Sequence, residues 1–132
     1  MYMPGTGAAL HTRKAALAEQ LYASAHAALE EGEDDRARQL FCLMLVCEPR
    51  DERGWVGLGV CHERAGDDHL ARTAAIYTIG LRLVGESAWL GLGRARTLNK
   101  MGRYYEALVA FDAAEDATND PRIIAAIGEE RP

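Results

Sequence analysis

Apolar residues recur at intervals of three and four positions along much of the chain, the spacing that places them on one face of an α-helix. Good helix formers, namely Ala, Leu, Glu and Arg, dominate the interior of the sequence. The alternating runs of Val, Ile and Thr that mark strands are missing. The pattern predicts an all-α fold with three pairs of helices and a short last helix, near residues 15–31, 34–47, 52–65, 68–83, 87–101, 104–118 and 121–129.

A unit of similar length repeats three times, and a glycine marks the turn of each unit. The spacings are 34 and 36 residues, between Gly32, Gly66 and Gly102. Glycine suits such a turn because it tolerates positive φ. A small residue, expected where two helices cross closely, follows five positions later at Ala37, Ala71 and Ala107.

An aromatic residue stands four positions beyond the alanine in two of the three units. These residues are Phe41 and Phe111, and the middle unit has Ala75 there with Tyr77 close by. An aromatic ring at this position is expected to fill the gap between neighbouring helical hairpins. One hairpin cannot bury its apolar face alone, so the units are expected to stack into a curved solenoid.

The middle unit carries a W-x-x-L-G element at Trp55, Leu58 and Gly59, and the third unit reads W-L-G-L-G from Trp89 to Gly93. Together with the 34-residue period, these residues resemble the tetratricopeptide-repeat (TPR) family. The resemblance implies a single domain over residues 1–132, a TPR helical-hairpin solenoid with a short C-terminal cap. The repeats are expected near 18–51, 52–87 and 88–121, after a flexible segment 1–14.

The register of the third unit is left open by the sequence. Alignment from Trp89 and alignment from Gly102 differ by two residues. Two explanations are considered. Either the first helix of the third unit is half a turn longer, or the connection that precedes it is longer.

Residues 17–80 also resemble the class II chaperones of type III secretion, the SycD/LcrH-like family. The match consists of Leu17, Leu21 and Tyr22, then Asp51-x-Arg53, then G-L-G-x-C at 57–61 with Ala65-Gly66. The resemblance implies a chaperone that grips an extended segment of a hydrophobic translocator in its concave groove and keeps it soluble in the bacterial cytoplasm before export. Two alternatives are a generic TPR adaptor and a needle-subunit co-chaperone that grips a helix.

The sequence departs from that family in two places. Family members carry a longer N-terminal helical extension used for self-association, whereas about 16 residues precede the first predicted helix here. A homodimer is therefore an expectation of the resemblance rather than of the residues. The family groove is rich in tyrosine, and this chain keeps Tyr22 but has His26 and Leu29 on the next two turns.

The first helix of each unit is expected to line the inside of the curve, with its inward residues three and four positions apart. An apolar strip edged by charges suits an extended peptide, whose side chains enter pockets while polar groups hold its backbone. The predicted groove residues are Glu19, Tyr22, His26, Leu29, Arg53, Val56, Val60, Glu63, Trp89, Leu92, Arg96 and Asn99. Trp55, by contrast, is expected to pack in the repeat core.

Charge and composition narrow the function further. The net charge of −5 and a pI near 5.3 argue against a nucleic-acid partner. No apolar run is long enough to insert in a membrane, no secretory signal is evident, and three cysteines fit a reducing cytosol. A basic cluster at one end of the third unit is either a solvated face or a contact for an acidic partner segment: Arg94, Arg96, Lys100 and Arg103.

No enzymatic chemistry is expected. Cys42, Cys47 and Cys61 have no C-x-x-C spacing; Cys42 and Cys47 are five residues apart and so lie on different faces of one predicted helix, and Cys61 lies on another. They are therefore expected to be small buried residues rather than metal ligands. The G-x-G pairs follow no strand, which argues against a dinucleotide loop. The histidines have no serine or carboxylate at a catalytic spacing. The sequence therefore predicts neither a cofactor nor a metal.

Overall fold

The computed structural model describes residues 6–132, with side chains from Ala9 onward. The described part of the chain is helical apart from short connections. Helices follow one another as α1 (Thr6–Glu30), α2 (Asp34–Cys47), α3 (Glu52–Arg64), α4 (Leu70–Val84), α5 (Ala88–Lys100), α6 (Tyr104–Asp116) and α7 (Pro121–Glu130). Helices α1 and α2, α3 and α4, and α5 and α6 form three successive hairpins, and α7 follows the last of them.

The glycine turns are confirmed by the backbone geometry. Gly32, Gly66 and Gly102 have φ angles of 76°, 104° and 77°, respectively. A residue with a side chain rarely adopts this left-handed conformation, so each of these positions requires glycine. The repeated glycine therefore marks the end of the first helix of each hairpin.

One aromatic ring lies between consecutive hairpins, as expected, and the middle ring belongs to Tyr77. Phe41, Tyr77 and Phe111 are each at most 2% exposed. The small residue four positions before the middle ring is Thr73, which is 1% exposed, whereas Ala71 is exposed. The expectation that Ala71 packs at the helix crossing is therefore wrong. In the second hairpin the packed residue lies seven positions after the turn glycine, instead of five as in the other two hairpins.

The two-residue shift in the second hairpin also resolves the register of the third unit. Neither a longer first helix in the third unit nor a longer connection before it is observed. A 3-10 turn, Asp67–His69, lengthens the α3–α4 connection by two residues compared with the other hairpin turns. Helices α3 and α5 are equally long, and their first residues are 36 positions apart. The turn glycines that follow them, Gly66 and Gly102, are also 36 positions apart. Trp89 is consequently equivalent to Arg53 rather than to Trp55, and the glycine-based register is the correct one.

The glycines inside α3 and α5 make room for the aromatic rings. A Cβ atom added at Gly57 would lie 2.2 Å from the Phe41 ring. At Gly59 and Gly93 it would lie 2.3 Å and 2.5 Å from the Tyr77 ring. The Tyr77 ring is thus held between two helices that lack side chains at these points, which is the packing role of Gly59 and Gly93.

Two apolar clusters form the core, one at each end of the stack. The first joins α1, α2 and α3 around Phe41 and Met44. The second joins α5, α6 and α7 around Phe111, Ile123 and Ile127. Helix α7 therefore packs as a short cap on the third hairpin. Pro121 stands at its first turn, where the missing N–H costs nothing, and the Asp120 side chain accepts a hydrogen bond from the Arg122 N–H at 2.9 Å.

Helix α1 starts earlier than expected. Residues 6–14, predicted to belong to a flexible segment, are the first turns of a 25-residue helix, while residues 1–5 lie outside the described part. Helix α2 has only 14 residues and cannot cover all of α1. Residues 9–17 are accordingly all exposed, including Leu10 and Leu17. The local sequence around the early glycines conceals this extension because glycine disfavours helix.

Candidate peptide-binding groove

The first helices of the hairpins form one side of the stack. Helix α1 contacts α3, α3 contacts α5, and α5 contacts α7. Within residues 6–132, α2, α4 and α6 have no such backbone contact with one another. The stack is therefore tighter on the side of α1, α3, α5 and α7 and opens on the other side. The tighter side is the inner face, on which the groove residues were predicted.

An apolar pocket of about 370 Å³ lies on this face between α1 and α3. It brings together seven of the twelve predicted groove residues: Tyr22, His26, Leu29, Arg53, Val56, Val60 and Trp89. The floor is formed by Phe41 and Gly57, because the ring reaches the pocket where the glycine has no side chain. Glu52 lines the same pocket, and neither it nor the two floor residues was predicted.

Arg53 is fixed at the rim by two carboxylates and one ring. Its guanidinium donates to Asp51 at 2.8 Å and 3.1 Å and to Glu19 at 2.6 Å and 3.1 Å. The same group lies 4.5 Å from the centre of the Tyr22 ring, a cation–π distance. Asp51 also caps α3 by accepting the Arg53 N–H. The predicted Glu19, Tyr22 and Arg53 thus form one interaction network.

The hydrogen bonds to Asp51 and Glu19 raise the pKa of Arg53 further above its usual value. The bond from Arg53 lowers the pKa of the exposed Glu19 carboxyl. Arg53 and Glu19 therefore keep their charges across the physiological pH range. Because both carboxylates already occupy the guanidinium, the rim around Arg53 is net acidic rather than basic.

Glu63 does not line the pocket and instead contacts Tyr77 of its own hairpin. Its carboxylate accepts a hydrogen bond of 2.7 Å from the Tyr77 hydroxyl. Burial and this carboxylate raise the pKa of Tyr77 well above its usual value. The phenol thus extends from α4 through the gap left by Gly59 and Gly93 and ends at the exposed Glu63.

Three of the four predicted residues on α5 lie in different environments. Trp89 is 43% exposed and lines the pocket, with the Arg122 guanidinium 6.0 Å from its ring centre. Arg96 is half-buried and donates to Glu130 of α7 at 2.8 Å and 2.9 Å. The half-buried Asn99 lies at the end of the stripe, and its buried Oδ1 accepts no hydrogen bond from the described residues.

Leu92 does not belong to the groove surface. It is 1% exposed and packs in the core cluster with α6 and α7. Its counterpart on α3, Val56, lines the open pocket. The difference arises from α7, a contact that the helical spacing of α5 alone does not reveal. Leu92 is therefore assigned to the core, and its prediction as a groove residue is corrected.

The remaining sequence expectations are resolved by burial and contacts. Trp55 is half-buried, and its indole N–H donates to the Pro49 carbonyl at 2.8 Å, which agrees with a packing role. Only Cys61 of the three cysteines is buried; Cys42 is exposed. Over residues 6–132, no three His, Cys, Asp or Glu side chains are grouped for a metal. None of the described helices combines the length and apolar character needed to cross a membrane.

Solved structures with the same fold are found at low sequence identity. SycD, the type III secretion translocator chaperone of Yersinia enterocolitica, in an alternative dimer, superimposes with a TM-score of 0.77 at 22% identity, covering 86% of this chain and 87% of SycD. PcrH of Pseudomonas aeruginosa, in complex with the chaperone-binding region of PopD, gives 0.74 at 23% identity over 84% and 85%. The first TPR domain of RPAP3, bound to an HSP90 peptide, gives 0.72 at 12% identity over 85% and 88%.

These superpositions confirm the predicted fold class, an all-α TPR stack of three hairpins with a short cap. No protein-family model matches the sequence, and no curated protein matches it. Identities of this size show a shared fold rather than a shared partner. Of these three proteins, SycD is a type III secretion translocator chaperone, PcrH is bound to the chaperone-binding region of PopD, and the RPAP3 domain is bound to an HSP90 peptide.

Proposed function

We propose that this chain is a type III secretion chaperone that binds an extended segment of a hydrophobic translocator in the groove along α1, α3 and α5. It would keep that segment soluble in the bacterial cytoplasm before export. The observation that carries the proposal is the apolar pocket between α1 and α3, open on the inner face and bordered by the fixed Arg53. The fold similarity to SycD and PcrH supports it.

The pocket suits an apolar side chain of the ligand, with Arg53 at its rim as the polar contact. Tyr22, Leu29, Val56 and Val60 supply apolar walls, and each is only half-buried in the free protein. Covering such surface contributes about 25 cal/mol per Å². Arg53 cannot reorient easily, because it is held by four hydrogen bonds. A preorganised rim of this kind fixes the orientation of a ligand at little entropic cost.

The proposed groove comprises the predicted residues except Leu92. Glu19, Tyr22, His26, Leu29, Arg53, Val56, Val60 and Trp89 form or border the pocket, and Glu63, Arg96 and Asn99 extend it along the inner face. We expect the first group to dominate affinity, since buried aromatic and apolar anchors do so in most interfaces. The second group is expected to affect affinity weakly.

A double substitution tests the groove. Tyr22→Ala with Leu29→Ala removes two pocket walls, and we expect loss of translocator binding with the helical circular dichroism signal retained. Leu43→Ala with Val46→Ala, which removes two exposed apolar side chains from α2, is the control and should bind normally. Normal binding by a folded Tyr22/Leu29 variant would refute the groove assignment.

A second function is supported by the RPAP3 superposition. A TPR stack at 12% identity binds a peptide of HSP90, so the same architecture also serves as a general adaptor. An adaptor, or a needle-subunit co-chaperone that grips a helix, would use the same pocket. The conformation of the bound segment separates these functions. NMR of the complex should show an extended ligand for a translocator chaperone and a helical ligand for a needle-subunit co-chaperone.

We also propose that the chain forms a homodimer through the first half of α1. Residues 9–17 of this segment are all exposed, and isolated helices of about 12 residues are marginal in water. Leu10 and Leu17 are 54% and 45% exposed and lie seven residues apart, on one helical face. Light scattering after gel filtration should give a dimer mass, and Leu10→Glu with Leu17→Glu should give a monomer.

A further inference from the structure

An open cleft lies on the outer side of the stack, between α4 and α6. These two helices make no backbone contact with each other in the described structure, so α5 forms the floor between them. Two cavities occupy the gap, of about 370 Å³ and about 300 Å³. Arg94 of α5 lines both, which makes them two halves of one cleft.

The walls of the cleft consist largely of alanine. Ala71, Ala74 and Ala75 of α4 line one half. Ala110, Ala113 and Ala114 of α6 line the other half. Helix axes pack about 8–10 Å apart, and small side chains permit the closest approach. A gap between two parallel helices with such walls therefore fits a third helix better than it fits a compact small molecule.

The larger half of the cleft is basic, in a chain whose net charge is −5. Its charged side chains are those of Arg82, Arg94, Arg103 and Glu106. Arg103 forms an ion pair with Glu106 at 2.8 Å, and Arg94 donates to the Thr78 hydroxyl at 3.1 Å. Arg82 is exposed and has no ion pair within residues 6–132. Two guanidinium groups are thus left without a carboxylate.

The corresponding gap between α2 and α4 differs in charge. Its charged side chains are Asp34, Asp35, Arg38 and Arg72, two of each sign. The excess of positive charge is therefore particular to the α4–α6 cleft. One exposed apolar side chain, Ile79 at 45% exposure, lines this cleft as well. Apolar surface next to uncompensated charge is typical of a docking site.

We propose that the α4–α6 cleft is a second docking site, separate from the inner groove, for an acidic amphipathic helix of a partner protein. Apolar side chains of that helix would rest on the alanine walls. Its carboxylates would meet Arg82 and Arg94 at the basic half. Glu86 lines the opposite half, so the acidic residues of the partner belong at the Arg82 end. This inference is independent of what the inner groove binds.

The test uses a fluorescent synthetic helix of about 15 residues, with Leu and Ala on one face and Glu at the flanks. A matched peptide carries Lys in place of Glu. Fluorescence anisotropy should show binding of the Glu peptide that weakens between about 50 mM and about 300 mM salt, as expected for exposed charges. The Lys peptide should bind at least about tenfold more weakly.

Arg82→Glu locates the site. We expect it to weaken binding of the Glu peptide by at least about tenfold. Arg50→Glu is the matched control, since it makes the same charge change at an exposed arginine in the α2–α3 connection, and it should bind as the wild type does. No binding of the Glu peptide, equal binding of the Lys peptide, or equal binding by Arg82→Glu and wild type would each overturn the proposal.

Discussion

The packing of Tyr77 between two helices leads to a prediction of definite sign. A Cβ atom at Gly93 would lie 2.5–2.8 Å from three atoms of the Tyr77 ring. Carbon atoms in contact normally lie about 3.5–4.0 Å apart, so the Gly93→Ala overlap is close to an ångström. The ring cannot retreat, because Gly59 of α3 lies against it and its hydroxyl is bonded to Glu63.

Two opposing terms decide the size of the effect. Overpacking a dense core typically costs about 1–3 kcal/mol, occasionally more. Alanine is favoured over glycine within a helix by about 1 kcal/mol. Because the contacts around Gly93 are tight, the overpacking cost should lie at the upper end of that range. We therefore expect Gly93→Ala to lower the free energy of unfolding by about 1–2 kcal/mol.

Gly128→Ala in α7 provides the control, because no heavy atom lies within 4 Å of its added Cβ. Only the helix-propensity term remains there, and we expect a gain of up to about 1 kcal/mol. The assay is urea denaturation followed by circular dichroism at the helical band, with the slope of the transition compared between variants. Equal or greater stability of Gly93→Ala would refute this account of the packing.

A double-mutant cycle isolates the contact itself. In a Tyr77→Leu background the ring is absent, so the cost of Gly93→Ala should largely disappear. An unchanged cost in that background would show that the strain arises elsewhere. The same reasoning extends to Gly57 and the Phe41 ring at 2.2 Å.

Three further predictions concern pH, the cap and the rim. Burial raises the pKa of Cys61 to about 11, and burial together with the Glu63 carboxylate raises the pKa of Tyr77. Because the unfolded chain releases these protons at lower pH than the folded protein, stability should fall as the pH rises above the ordinary thiol pKa of 9.0. A urea midpoint unchanged between neutral pH and the pKa of Cys61 would contradict this. Ile127→Ala removes a fully buried side chain that joins α7 to α5 and α6. It should lower the free energy of unfolding, measured by urea denaturation, by about 2–5 kcal/mol. A smaller decrease would mean that α7 is not part of the core. Arg53→Leu should lower the free energy of unfolding by about 1 kcal/mol, because its ion pairs with Glu19 and Asp51 are only partly shielded from water. It should also weaken ligand binding measured by calorimetry, and unchanged affinity would remove Arg53 from the groove.

The hairpins were predictable because their signal is local. A turn that requires positive φ selects glycine, and Gly32, Gly66 and Gly102 therefore report the repeat directly. The identity of Tyr77 as the middle ring was not predictable from a fixed period. The α3–α4 connection, which contains the 3-10 turn, is two residues longer than the other hairpin turns, so Tyr77 lies two positions beyond the expected one. The burial of Tyr77 in the structure identifies it as the ring between the hairpins.

The candidate groove could be predicted where its residues follow the periodicity of one helix. It could not be predicted where a neighbouring helix covers a residue or contributes a side chain. Tyr22, Leu29 and Val56 face one pocket as their spacing on α1 and α3 indicated. Leu92 has the same spacing on α5 but lies under α7. Phe41 enters the pocket from α2 because Gly57 has no side chain, a long-range contact that a spacing rule on one helix cannot reveal.

The most direct measurement of the central claim is co-expression of this chain with hydrophobic translocator candidates of its host, followed by analysis of the soluble fraction and co-elution. The account predicts that a translocator becomes soluble only with this chain and co-elutes with it, and that the Tyr22/Leu29 double variant abolishes both effects. If no translocator is solubilised or co-elutes while the chain remains folded and helical, the chaperone function is contradicted.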